Sequence, residues 1–157
     1  MNIQTNLKSG TRVSTIILAE DDVDDQNIFQ IALQEVDPLI RLEFASNGNQ
    51  LIDLLKSFRP DLLFLDLDMP YKNGLECLLD IRSNPVIENL PVIVFSSTTK
   101  QSNIQTAYEM GAHLFFIKPP VYKDYLSSIR SILALKWEDP EEVREQYCIN
   151  GRYTAFN

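Results

Sequence analysis

Short, continuous apolar runs recur along this chain, each closed by a polar residue and separated from the next by a longer stretch with helical spacing. Ile16 to Ala19 follows Thr15, residues 62–65 read Leu-Leu-Phe-Leu, Val92 to Phe95 follows Pro91, and residues 114–117 read Leu-Phe-Phe-Ile. Such runs are shorter than a typical globular helix and lack in-out alternation, so they predict strands covered on both faces. A more mixed fifth strand is predicted at 41–45. Between the runs, Ile28, Phe29, Ala32, Leu33 and Val36 share one stripe, as do Leu51, Leu54, Leu55 and Phe58. Further helical stretches are expected at 74–82, 100–110 and 123–136, the last carrying Tyr125, Leu126, Ile129, Ile132 and Leu133 on a helical period. Strands alternating five times with helices over short connections predict a doubly wound α/β domain, with helices on both faces of a parallel sheet.

Local punctuation supports these bounds. Asp24 is expected to cap the first helix and Pro38 to close it, while Asn47 with Gln50 resembles a capping box. The hydroxyl run Ser96-Ser97-Thr98-Thr99 is suited either to a loop or to a cap. Gly111 ends the fourth helix, and Lys118-Pro119-Pro120 breaks the fifth strand. Residues 1–13 read as a loose arm and 14–136 as the domain. The composition changes at 137–157, where Glu138-Asp139-Pro140-Glu141-Glu142 precedes Tyr147, Tyr153 and Phe156; a solvated tail is favoured there over packing on the domain.

A net charge of -8 over 157 residues argues against general nucleic-acid binding, which needs Lys and Arg to displace counterions. Cys77 and Cys148 match no metal or redox spacing and read as free thiols in a reducing compartment. The first residues lack the apolar stretch of a secretory signal, and no run reaches the roughly 20 apolar residues needed to cross a bilayer. The expectation is a cytoplasmic protein without membrane insertion.

In a parallel sheet every strand releases its last residue at the same edge. Strand one therefore delivers Glu20 and Asp21, strand three Asp66, strand four Ser96 and strand five Lys118. Three acids gathered there repel one another unless a cation intervenes, and oxygen-only ligands suit Mg²⁺, with Mn²⁺ able to substitute. A carboxylate in such a place can attack a phosphoryl group, the lysine can neutralise charge on its oxygens, and the Ser96 hydroxyl can donate to one of them. The neighbouring acids Asp22, Asp24 and Asp25 read as a solvated helix start, where negative charge is favoured. His113 reads as a turn residue with no catalytic task, and Phe115 and Phe116 read by default as core.

Ile17-Leu18-Ala19-Glu20-Asp21-Asp22, Asp66-Leu67-Asp68-Met69-Pro70 with Asn73-Gly74, Phe95-Ser96-Ser97, and Gly111-Ala112 leading to Lys118-Pro119, in this order and at these separations, resemble the receiver domain of bacterial two-component response regulators. The resemblance runs from about Ile16 to Leu135. It implies a flavodoxin-like five-stranded sheet of order 2-1-3-4-5. It implies Asp66 as the phospho-accepting aspartate, Glu20 and Asp21 as the acidic pair holding Mg²⁺, and the Asp68 backbone carbonyl as a further ligand. Ser96 takes the switch-hydroxyl position, Lys118 the phosphoryl-contacting lysine, and Phe115 the aromatic switch position, commonly Tyr. A cis bond before Pro119 is implied as well.

The function expected from this resemblance is that of a stand-alone response regulator, a signalling protein rather than an enzyme acting on a separate substrate. A sensor histidine kinase or histidine phosphotransfer protein would phosphorylate Asp66, Mg²⁺ would assist uptake and hydrolysis, and output would be contact with an unidentified downstream protein; a homodimer is allowed. Two rivals are a receiver-like scaffold that is never phosphorylated and a phosphatase of the haloacid-dehalogenase type. The second rests on the Asp66-x-Asp68 spacing, which here follows the third strand rather than the first.

Overall fold

The computed structural model describes residues 12–156, so the expected loose arm lies outside the described residues except for Arg12 and Val13. The elements follow the order β1 (Thr15–Ala19), α1 (Val23–Val36), β2 (Arg41–Ala45), α2 (Gly48–Leu55), β3 (Leu62–Leu65), α3 (Gly74–Arg82), β4 (Val92–Ser96), α4 (Gln101–Glu109), β5 (Leu114–Ile117) and α5 (Tyr122–Leu133). A short helix α6 (Pro140–Gln146) and a hairpin of β6 (Cys148–Ile149) and β7 (Arg152–Tyr153) complete the chain. β1 to β5 form one sheet of order β2-β1-β3-β4-β5 with every pairing parallel.

The continuous runs have the predicted consequence: successive residues enter opposite apolar layers. Ile17, Ala19, Leu63, Leu65, Val92, Val94 and Phe115 face the layer covered by α2, α3 and α4. Ile16, Leu18, Leu62, Phe64, Ile93, Phe95, Leu114 and Phe116 face the layer covered by α1 and α5. In the second layer Phe29, Phe64, Phe95, Phe116 and Tyr125 pack mostly edge to face, the geometry that ring quadrupoles favour. At the opposite end of the sheet from the acids, Asp61 Oδ2 accepts from the backbone N–H and hydroxyl of both Ser14 and Thr15.

Helix caps agree in part with expectation. Asp22, not Asp24, caps α1: its side chain accepts from the Asp25 N–H, because Asp24 already lies inside the helix. Asn47 caps α2, but Gln50 returns its bond to the Ser46 N–H rather than to Asn47. A complete capping box opens α3, between Asn73 and Glu76. The hydroxyl run after β4 satisfies its loop instead of capping α4: Ser96 Oγ accepts from the Thr98 N–H, and Thr98 Oγ1 accepts from the Lys100 N–H.

The expectation of a solvated tail is overturned. Trp137 and Val143 are buried in the same layer as Phe95 and Phe116. The backbone of residue 156 lies beside β5, donating to the Phe115 carbonyl at 2.7 Å and accepting from the Ile117 N–H at 3.1 Å. The chain thereby covers the hydrogen-bonding edge of β5 that the five-stranded sheet leaves open. Polar residues dominate this segment, yet its few aromatic side chains each find an apolar surface on the domain. The bond before Pro119 is trans, contrary to the implied cis form, as are all peptide bonds among the described residues; trans is the lower-energy isomer at an X–Pro bond.

Candidate functional site

Four of the five parallel strands, β1, β3, β4 and β5, bring Glu20, Asp21, Asp66, Ser96 and Lys118 to one edge. Glu20 leaves β1 with its N–H bonded to the Ala45 carbonyl, and Asp66 leaves β3 with its N–H bonded to the Ala19 carbonyl. Adjacent strand ends thus hold the two carboxylates side by side. Glu20 and Asp66 are buried, 1% and 5% exposed, whereas Asp21 and Asp68 face solvent. One carboxylate oxygen from each of Glu20, Asp21 and Asp66 lies within 4.8 Å of the others.

Lys118 enters from the end of β5, where its N–H donates to the Ser96 carbonyl at 2.8 Å. Its ammonium donates to Glu20 Oε1 at 2.7 Å and to Asp25 Oδ2 at 2.9 Å, and it stands 3.7 Å from Asp66 Oδ2. The face of the Phe95 ring lies 5.0 Å away, a second attraction for the cation. Asp25 is the residue that sequence reasoning missed. In the sequence it reads, with Asp22 and Asp24, as one more solvated acid, and only the fold reveals its contact with a lysine 93 positions later.

Burial pushes Glu20 up to about 8; the hydrogen bond from Lys118 opposes this and the charge of Asp66 adds to it. Burial also raises Asp66, against the attraction of Lys118. For Lys118 burial works in the lowering direction, but Glu20, Asp25 and Asp66 together outweigh it and hold the ammonium charged. Two buried acids with one shared lysine are short of positive charge, and the open side faces Asp21. Oxygen-only donors of this kind fit a hard divalent cation such as Mg²⁺ or Mn²⁺.

The loop after β3 is shaped for this edge. The Asp68 N–H donates to Asp66 Oδ1 at 3.2 Å, fixing the carboxylate's rotation. Gly74 lets α3 approach: a Cβ there would stand 2.3 Å from the Asp66 carbonyl oxygen. Tyr71, at φ 67°, turns the chain between Pro70 and Lys72 and is exposed. Ser96 is buried at the end of β4, its hydroxyl engaged with the Thr98 N–H and, among the described residues, not hydrogen-bonded to any of the acids. Phe115 is not at this edge. It is fully buried in the layer beneath α4, and its N–H donates to the Tyr108 hydroxyl at 3.0 Å.

His113 is buried and polar-bonded rather than part of a solvated turn. Its Nδ1 accepts from Val92 N–H and faces Arg82 Nη2, each at 3.2 Å, while Nε2 meets Glu141 at 3.1 Å. It sits at the entrance of β5, away from the acids, because Gly111-Ala112 leads directly into the sheet. Cys77 is a buried free thiol, pushed up to about 11 by burial.

This geometry defines a class: a doubly wound α/β domain whose carboxyl-terminal strand edge carries a buried aspartate, two further acids and a lysine placed for phosphoaspartate chemistry. A family model described as the response regulator receiver domain matches residues 16–130, and the chain belongs to that family. It is 31% identical over 124 residues to the sensory transduction protein LytT of Oceanobacillus iheyensis, covering 77% of this chain and 50% of that protein. The Mn²⁺-bound structure of the response regulator Rcp1, a Synechocystis protein, matches with a TM-score of 0.71 and 26% identity over 80% of this chain and 95% of that one. The phosphorylated cyanobacterial phytochrome response regulator RcpA matches with the same TM-score and identity over 76% and 91%. The chain spans half or less of the length of two of the curated relatives it matches. No helix among the described residues is long and apolar enough to cross a membrane.

Proposed function

We propose that this chain accepts a phosphoryl group on Asp66 from a histidine kinase or a histidine phosphotransfer protein, with Mg²⁺ beside it, and signals by protein contact. One observation carries the reading: oxygens of Glu20, Asp21 and Asp66 within 4.8 Å of one another, with the Lys118 ammonium 3.7 Å from Asp66. The Mn²⁺ named for Rcp1 and the phosphorylation named for RcpA support it by similarity.

Asp66 is the nucleophile: one carboxylate oxygen forms a bond to phosphorus as the bond to the donor's leaving atom breaks, and the leaving group departs with the electron pair. Glu20 and Asp21 would hold the cation with Asp66, and the Asp68 carbonyl would add a ligand. When bound, the cation supplies positive charge against the phosphoryl oxygens. Lys118 presents its ammonium to the same oxygens. The Ser96 hydroxyl, released from the Thr98 N–H, donates to one of them and draws the β4–α4 loop inward.

The output face in this reading is α4 with β5 and the segment packed on them. Gln101 Nε2 donates to the Tyr153 carbonyl, the Tyr153 N–H donates to Gln105 Oε1, and the Tyr108 hydroxyl donates to the Thr154 carbonyl. A shift of α4 that follows Ser96 therefore reaches the carboxyl-terminal segment directly, and Phe115 couples through its N–H to Tyr108 rather than through a hydroxyl of its own.

The test is incubation with Mg²⁺ and acetyl phosphate, read by intact mass beside Asp66→Asn. The expected result is one phosphoryl adduct that the variant lacks; no adduct with the fold intact, from acetyl phosphate or from kinase donors, rejects the reading. Asp68→Asn is expected to retain uptake, since its side chain is exposed and outside the acid cluster. A large loss there favours the phosphatase alternative.

A further inference from the structure

We infer that Asp25 is a positioning residue for phosphoryl transfer: it holds the Lys118 ammonium so that one N–H is left for the group carried by Asp66. The inference rests on the phospho-acceptor reading of the site and adds a residue to it.

A lysine ammonium has three hydrogens to donate. In this structure one goes to Glu20 Oε1 at 2.7 Å and one to Asp25 Oδ2 at 2.9 Å. Asp66 Oδ2, at 3.7 Å, is beyond hydrogen-bond length but within ion-pair distance, so among the described residues the third hydrogen has no close acceptor and Asp66 stands next nearest. The Lys118 side chain is 13% exposed, which leaves the ammonium little water to replace a lost partner.

The two occupied partners are not equivalent. Glu20 belongs to the acid cluster with Asp21 and Asp66, whereas Asp25 stands outside it, on the first turn of α1. With a divalent cation bound there, Glu20 and Asp66 would share their charge with it and their hold on Lys118 would weaken. Asp25, outside the acid cluster, is the carboxylate whose direct bond to the lysine is not shared with a cation when the cluster is loaded. It also lies on a rigid element, since Asp22 caps α1 by accepting from the backbone N–H of Asp25 itself. With Asp25 removed, the ammonium is free to turn toward Glu20 and solvent, and its orientation toward a phosphoryl group has to be regained at each transfer.

The reaction used to read this is uptake from acetyl phosphate, in which an Asp66 oxygen bonds to phosphorus while the bond to the acetyl oxygen breaks and acetate leaves with the electron pair. The experiment compares wild type, Asp25→Ala and Asp25→Glu in three measurements: Mg²⁺ affinity by calorimetry, affinity for beryllofluoride in saturating Mg²⁺ by fluorine resonance, and the initial rate of phosphoryl uptake by intact mass. Asp25→Ala is expected to weaken beryllofluoride binding and slow uptake in saturating Mg²⁺, each by about tenfold, the scale of one charge-assisted hydrogen bond, with a clearly smaller loss of Mg²⁺ affinity from the freed ammonium competing for Glu20. Asp25→Glu, which restores the carboxylate one methylene further out, is expected to recover part of both losses and keeps the inference testable if the alanine variant folds poorly. Beryllofluoride affinity and uptake equal to wild type in Asp25→Ala overturn the inference, as does a loss of Mg²⁺ affinity as large as the loss of beryllofluoride affinity, which assigns Asp25 to the metal site instead. Failure of wild type itself to bind beryllofluoride or take up phosphate from any donor rejects the acceptor reading and this inference with it.

Discussion

The ring of Tyr153 lies 4.5 Å from that of Tyr108 and within 9° of parallel. Tyr108, near the end of α4, is fully buried and its hydroxyl links β5 to the last residues, while Arg144 covers the Tyr153 ring at 4.9 Å. Tyr153 is thus the rivet between the carboxyl-terminal segment and the domain. Tyr153→Ala removes a stacked pair and a cation–π contact, and about 1–2 kcal/mol of stability is expected to go with them. Urea denaturation measures the loss. Amide exchange is expected to show it concentrated in residues 148–156, with β1, β3 and β4 still protected; a uniform loss of protection speaks against a local rivet.

Why the sheet was legible in the sequence and this segment was not has a physical answer. A strand buried on both faces must be apolar at every position, so 62–65 and 92–95 announce themselves locally. Trp137, Val143, Tyr147, Tyr153 and Phe156 follow no period, because each packs against the domain instead of against its neighbours. Asn150 and Gly151, both at positive φ, supply the two-residue turn that pairs β6 with β7, a signal the polar surroundings masked. Glu20, Asp21, Asp66 and Lys118 were legible because strand ends of a parallel sheet converge. Asp25 was not, since one helix-start acid looks like the next until the fold sets a lysine against it.

At Gly74 the constraint is space rather than φ. A methyl group there meets the Asp66 carbonyl oxygen, the Leu67 Cα and the Asp66 carbonyl carbon at 3.0 Å or less, all of them backbone atoms that cannot rotate away. Gly74→Ala is therefore expected to cost about 1–3 kcal/mol by overpacking. The same displacement moves the backbone that carries Asp66, so acetyl phosphate uptake is expected to slow more than fraction folded accounts for. Equal losses in uptake and in folded fraction mean that the site tolerates the shift.

His113 makes stability depend on pH in a stated direction. Burial, with the Arg82 charge beside it, lowers its pKa from an ordinary 6.5 to about 4, and the opposing pull of Glu141 does not compensate. Between these values the unfolded chain binds the proton and the folded chain does not, so stability rises with pH through this window and is fully present above 6.5. Wild type is expected to lose roughly 3 kcal/mol from this group between pH 7 and pH 4. Carboxylates contribute slopes of their own, so the measurement is the difference between wild type and His113→Asn by denaturant titration at each pH. A difference that stays constant across the window shows that His113 does not carry it.

Lys118 stands among Glu20, Asp25 and Asp66, and its removal tests the charge balance of the whole edge. Lys118→Ala leaves two buried carboxylates without their cation, a loss of about 3–5 kcal/mol when one partner of a buried pair is deleted. A divalent ion supplies the missing charge from the other side. Wild type in Mg²⁺ at a hundredfold excess over its dissociation constant is expected to gain about 2.7 kcal/mol by mass action. The gain in Lys118→Ala is expected to be larger at equal Mg²⁺, because the ammonium that competes for the same acids has gone, and Asp66→Asn is expected to gain less than wild type. Denaturation of the three proteins with and without Mg²⁺ reads these differences. A Mg²⁺ gain identical in wild type and Lys118→Ala means that lysine and metal do not share Glu20 and Asp66, and the arrangement proposed for phosphoryl transfer then lacks its electrostatic basis.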